Sequence, residues 1–161
     1  MNMADHPVDP SLDLVLEREV DVPPHLVWVA WTSPEHLKKW FAPKPYETVE
    51  CEIDLRPGGI FRAVMRSPEG ETMDEGAGCV LEVVENRRFV WTSAMGPGFR
   101  PVASGLPFTA IITIEPAGSG TRYRAVAVHG STETKNEHEK MGFHEGWGVA
   151  LDQLVEVVRG L

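Results

Sequence analysis

The sequence predicts an α+β fold in which a strongly curved antiparallel sheet of six to seven strands wraps around one long C-terminal helix, with two short helices after the first strand. Three observations carry that prediction. From Glu47 to His129 the apolar residues recur with a period of two, broken only by short Gly/Pro/Asn turns. Residues 23–41 switch to helical spacing punctuated by prolines, and residues 131–161 form a single amphipathic stripe. Consecutive strands with short connections must be antiparallel, because parallel neighbours need a crossover of about a dozen residues or more.

Residues 1–13 carry prolines and aspartates with little periodic apolar content and read as a loose, disordered tail, leaving 14–161 as a single domain. In residues 14–22, Leu14, Leu16, Arg18, Val20 and Val22 alternate with Val15, Glu17, Glu19 and Asp21, the pattern of a half-buried strand. Pro23-Pro24 ends it and pre-sets φ for a helix that buries Val27, Trp28, Ala30 and Trp31. Ser33-Pro34 starts a second short helix placing Leu37, Trp40 and Phe41 against the sheet.

The strands that follow present Val49, Cys51 and Ile53, then Phe61, Ala63 and Met65, then Met73, Ala77, Cys79, Leu81 and Val83 to one face. Gly76 and Gly78 mark a bend or bulge within the last of these. Phe89, Trp91 and Ser93 continue the sheet, residues 95–105 read as a Gly/Pro-rich loop, and Phe108 to Ile114 and Tyr123 to His129 complete it. In the C-terminal helix Met141, His144, Trp147, Leu151, Leu154, Val155 and Val158 share a side, with Ser131 or Thr132 as N-cap and Gly160 past the end. His144 within the stripe and Gly148 one turn on suggest a polar group beside unfilled space, against the alternative of a core histidine and a close backbone approach.

Composition narrows the function. The 161-residue chain is 42% hydrophobic and 24% charged, ordinary for a globular protein, and its net charge of -9 with no Lys/Arg cluster argues against nucleic acid. No run of apolar residues is long enough for a membrane span and no secretory signal is present, so a cytoplasmic protein is expected. Cys51 and Cys79 match no zinc or redox spacing and are expected as free buried thiols.

No metal or cofactor is expected. His138-Glu139 opens an H-E-x-x-H pattern that Gly142 breaks, and the six-residue gap from His138 to His144 is about 240° around a helix, so the rings cannot share a metal from one face. Ser93, Ser104, Cys51 and Cys79 lack a nucleophile context, and Gly58-Gly59 and Gly96-Pro97-Gly98 read as turns rather than phosphate loops. His144, Arg18, Glu75 and Tyr123 are the polar residues whose parity points inward, either as acid/base groups or as pairs at the sheet rim.

Three strings, REVDVPPHLVWVAWTSPEHLKKWFAP (18–43), DLRPGGIFRAVMRSPEG (54–70) and MGFHEGWGVALDQLVEVV (141–158), resemble in order the SRPBCC or START-like superfamily. This superfamily has the birch-pollen-allergen-like helix-grip fold, and the strings look like its branch named after the activator of Hsp-90 ATPase homologue. The resemblance covers nearly the whole chain after the tail. It implies a cavity between sheet and helix, since members bind lipids, polyketides or other hydrophobic ligands and a few are cyclases.

The favoured expectation is therefore binding of a small hydrophobic or amphipathic molecule in a pocket lined by Phe61, Met65, Met73, Trp91, Phe108, Tyr123, Met141, His144 and Trp147. Small residues Ala63, Ala125, Ala127 and Gly148 on the inward face leave volume for it. The alternatives are a cyclase- or hydrolase-type enzyme with His144 as acid or base, and an interaction protein of the co-chaperone or stress-response kind using its acidic surface. Aromatic surfaces at the sheet edge or helix end are compatible with a homodimer, and nothing in the sequence requires one.

Overall fold

The computed structural model describes residues 6–102 and 105–161. The elements follow in the order β1 (Asp13–Val20), α1 (Pro24–Thr32), α2 (Pro34–Leu37), β2 (Glu47–Ile53), β3 (Ile60–Arg66), β4 (Thr72–Met73) and β5 (Gly78–Val84). Then come β6 (Arg88–Thr92), β7 (Met95–Gly96), β8 (Arg100–Pro101), β9 (Thr109–Ala117), β10 (Gly120–Val128), α3 (Thr132–Lys140) and α4 (Phe143–Arg159).

The main sheet is antiparallel, with strand order β1-β10-β9-β6-β5-β3-β2 and β4 added on β3, eight strands in all. The first strand lies at one edge beside the last, and β2 closes the other edge, so α1 and α2 carry the chain from one edge to the other. The curled sheet holds α4 on its concave face. This is the helix-grip arrangement, with Thr72–Met73 split off as a strand of its own.

The core lies between that concave face and the helices. Leu14, Phe61, Val80, Phe89, Ile112, Ile114, Tyr123 and Ala125 meet Val27 and Trp31 of α1 and Phe143, Leu151, Leu154 and Val158 of α4. A smaller apolar cluster of Val90, Ile111 and Val126 occupies the opposite face of the sheet, as strand alternation requires.

Three expectations from the sequence are corrected. The C-terminal helix is two helices, because Gly142 takes a left-handed conformation (φ 96°, ψ 40°) between α3 and α4, which glycine adopts without a Cβ penalty. Ser131 caps α3 as predicted, accepting from the Thr134 amide at 3.2 Å. In β5 the pairing with β6 shifts between Val80 and Glu82, so Val80 and Val83 face the main core while Leu81 turns to the outer cluster. Residues 95–102 hold a short hairpin, β7 with β8, in the segment expected as loop. The described part of the tail is tied down: Asp13 accepts from the Asp9 amide and pairs with His6 at 2.9 Å, and Ser11 bonds the Asp9 carboxylate. Residues 1–5 of that tail lie outside the described residues.

Candidate functional site: a cavity under the broken helix

A cavity of about 430 Å³ opens between the concave sheet and the α3–α4 break. Its sheet wall is Phe61, Ala63 and Met65 of β3, Trp91 of β6 and Tyr123 of β10. Trp31 of α1 and Trp40, Phe41 and Pro43, which follow α2, close one side. Residues of α3, the α3–α4 break and α4 form the roof: His138, Met141, Phe143, Trp147, Ala150 and Leu151. Glu75, Val102, Leu106 and Phe108 belong to the loops at its end. The volume falls in the range of small-molecule sites, about 300–1,000 Å³.

Why the space stays open follows from the packing beneath it. Phe61 and Trp91 stack at 4.3 Å between ring centroids, and Phe108 meets Trp91 edge-on at 5.5 Å. Trp31 packs edge-on against Trp40 at 4.9 Å. These rings are rigid and mutually braced, so they cannot collapse inward, and the facing helix positions Ala150 and Gly146 are too small to reach them. The segment carrying Trp40 and Pro43 is held onto α4 by Gln153, whose amide donates to Trp40 O at 2.8 Å and Ala42 O at 2.9 Å and accepts from the Lys44 amide at 3.0 Å.

The polar groups in the wall are few. Trp31 Nε1 donates to Tyr123 Oη at 3.1 Å, and the phenol's own proton has no acceptor among the described residues. Burial pushes the Tyr123 phenol up, outweighing the opposing effect of that hydrogen bond. The Trp91 indole N–H is buried with no partner among the described residues. The Ser93 hydroxyl donates to Leu106 O at 3.0 Å and the Thr92 hydroxyl to Phe108 O at 3.1 Å. Among the described residues no Lys or Arg lines the cavity, and Glu75 brings the one carboxylate.

One feature of the roof is a histidine pair. His129, just after β10, donates from Nδ1 to Leu12 O at 2.8 Å, and its Nε2 lies 2.9 Å from His138 Nδ1, from which the neutral ring accepts. His138 is packed among Phe108 (4.7 Å), Phe143 (5.4 Å) and Trp147 (6.1 Å). Burial first, and the neighbouring His129 second, lower its pKa from 6.5 to about 4, so it is a neutral ring at pH 7.

Of the nine residues expected to line a pocket, Phe61, Met65, Trp91, Phe108, Tyr123, Met141 and Trp147 lie on this cavity. Met73 and His144 do not. Met73 pairs across to Met65 on the short strand β4, beyond the cavity. His144 is corrected from wall to surface: its side chain is 56% exposed and bonds Glu139 at 3.2 Å, because the break at Gly142 resets the helical phase and brings Phe143 inward instead. Gly148 also leaves no gap, since the Arg18 guanidinium covers it on its way to Asp152, 3.2 Å away.

His138, Trp31, Trp40, Phe41 and Phe143 were missed. The sequence assigns the tryptophans to core packing, which they also do. His138 could have been found from His129, which shares the inward parity of Tyr123, had the Met141-Gly142 step been read as a helix break. Cys51 and Cys79 are free, and burial pushes the Cys51 thiol up to about 11. Ser104 lies outside the described residues. Among those residues no group of three or more His, Cys, Asp or Glu is placed to hold a metal, and no helix is long and apolar enough to cross a membrane.

Comparison with known proteins agrees with this architecture. The crystal structure of a Nitrosomonas europaea protein is 48% identical, covering 95% of this chain and 97% of that one, with a TM-score of 0.91. A Mycobacterium smegmatis protein is 27% identical over 91% of this chain and 90% of its own, with a TM-score of 0.74. The solution structure of an AHSA1-like protein from Aeromonas hydrophila, 18% identical over 92% of this chain and 93% of its own, shares the fold with a TM-score of 0.70. No curated protein matches the chain. The model of the family described as Activator of Hsp90 ATPase homolog 1-like protein matches residues 21–159, and the chain belongs to that family.

Proposed function

We propose that this protein binds a small hydrophobic or amphipathic molecule in the cavity between the sheet and the α3–α4 break. The observation that supports it is the cavity itself: about 430 Å³ kept open by braced aromatic rings, with four tryptophans, Trp31, Trp40, Trp91 and Trp147, on its walls. A volume of that kind with no occupant exposes apolar surface that a ligand removes from water, at roughly 25 cal/mol per Å².

The test is a screen of uncharged apolar compounds by thermal unfolding and native mass spectrometry, repeated on Ala150→Leu, which pushes a larger side chain into the roof. At least one compound is expected to raise the unfolding temperature of the native chain and to lose that effect in the variant. A variant that folds and is stabilised as strongly as the native chain overturns the reading.

The family description carries a second reading, stimulation of an Hsp90-type ATPase. Steady-state ATP hydrolysis by a cognate chaperone, measured with this chain added to saturation, separates the two, since ligand binding alone predicts no change in rate. Acid–base catalysis through His144 loses its support, because that ring is exposed and paired with Glu139.

A further inference from the structure

We propose that the cavity selects uncharged molecules bearing a hydroxyl or other N–H/O–H donor, and that His138 Nε2 is the acceptor recognising it. The inference rests on the ligand-binding reading above and names the class of ligand.

A carbonyl can only accept, so Leu12 O obliges His129 Nδ1 to carry a proton, and in a neutral His129 ring Nε2 then accepts from His138 Nδ1. In the neutral ring this leaves the His138 Nε2 lone pair without a protein donor among the described residues. His138 is part of the cavity wall, packed between Phe108 and Trp147. An acceptor so placed is satisfied by a ligand that brings a donor. A ligand without one displaces water from the nitrogen and returns nothing.

Charge excludes the commonest amphiphiles. Among the described residues a carboxylate or phosphate entering the cavity meets no Lys or Arg and only neutral donors such as the Tyr123 hydroxyl, finds Glu75 among the lining groups, and would face the lone pair of His138. A buried anion without a cation is costly enough that such ligands are rejected. Depressed basicity of the His138 ring adds to this, since it does not acquire a compensating proton near neutral pH.

The test uses three probes with one ring system, 1-naphthol, 1-methoxynaphthalene and 1-naphthoate, titrated calorimetrically into the full chain near neutral pH. Naphthol is expected to bind about three- to tenfold tighter than the methyl ether, the range of one hydrogen bond, with naphthoate weakest. His138→Phe, which keeps a ring among Phe108, Phe143 and Trp147, is expected to abolish the preference for naphthol over the ether. Nitrogen NMR of the native chain gives a readout that needs no variant: the His138 Nε2 resonance shifts with naphthol and not with the ether. Equal affinity for naphthol and ether, tightest binding of naphthoate, or an unmoved His138 signal each overturn the inference. If the probes bind and lose binding in Ala150→Leu but ignore His138, the binding reading stands and this inference falls. If neither these nor any other apolar compound binds, both fall.

Discussion

His138 illustrates how one side chain's environment sets its chemistry. The residue is only 7% exposed, its ring held by His129 on one nitrogen and by aromatic side chains around it. Protonation would charge a desolvated ring and place a cation against a neighbour that offers no acid to balance it. Because the folded pKa, about 4, lies below the ordinary 6.5, the unfolded chain binds more protons between those values. Stability from this group is therefore fully present above pH 6.5 and is lost as pH falls toward 4. Urea unfolding of the native chain should show a falling midpoint from pH 7 to pH 5, and His138→Phe should show a smaller fall. Equal slopes would mean that the ring is protonated as readily in the fold as out of it. At the same scale, Gly148 shows why a missing side chain does not by itself mark a ligand site. A Cβ there would meet only the end of the Arg18 side chain, which can move, whereas a Cβ on Gly78 would sit 2.7 Å from the Thr92 carbonyl oxygen and 2.9 Å from that of Phe61, which cannot. Gly148→Ala should therefore stay within about 1 kcal/mol of the native chain, since helix propensity offsets the lost surface pair. Gly78→Ala should destabilise by about 2 kcal/mol or more through forced backbone displacement, both measured by chemical denaturation.

At the scale of elements, the break between α3 and α4 does the most to shape the site. A straight helix would have kept Met141 and His144 on the buried stripe, but left-handed Gly142 rotates the two segments, so that α3 buries His138 and α4 starts its stripe at Phe143. The stretch joining α2 to β2 depends on a different device. It has no regular structure of its own after Phe41, and Gln153 of α4 supplies hydrogen bonds to both carbonyls and an amide there. Gln153→Ala leaves those carbonyls without their donor at a half-buried seam, for which a loss of about 1–3 kcal/mol is expected. Hydrogen exchange should then show faster opening of residues 40–44 than of α1, and a uniform change across the fold would argue against a local clamp.

For the whole molecule, a sheet of eight strands closing on one helix leaves the interior only partly filled, and the aromatic rings that line the remainder also brace the core. Occupancy of that space should be read by the entire fold. A ligand present at about 100 times its Kd stabilises by about 2.7 kcal/mol, which for a chain of this size raises the unfolding temperature by roughly 5–10 °C. Much of this architecture was legible in the sequence. Alternation identified the inward residues of β1, β3, β9 and β10, prolines marked α1 and α2, and the stripe from Leu151 to Val158 is buried as its spacing requires. These are local consequences of period and turn chemistry, so local sequence is enough to determine them. What only the tertiary structure decided depends on contacts between distant segments: that Arg18 fills the space over Gly148, that the register shift in β5 turns Leu81 outward, and that the helix breaks so His138, and not His144, reaches His129 and the cavity. Sequence period assigns a face under the assumption of an unbroken element, and a single left-handed glycine removes that assumption for every residue on one side of it.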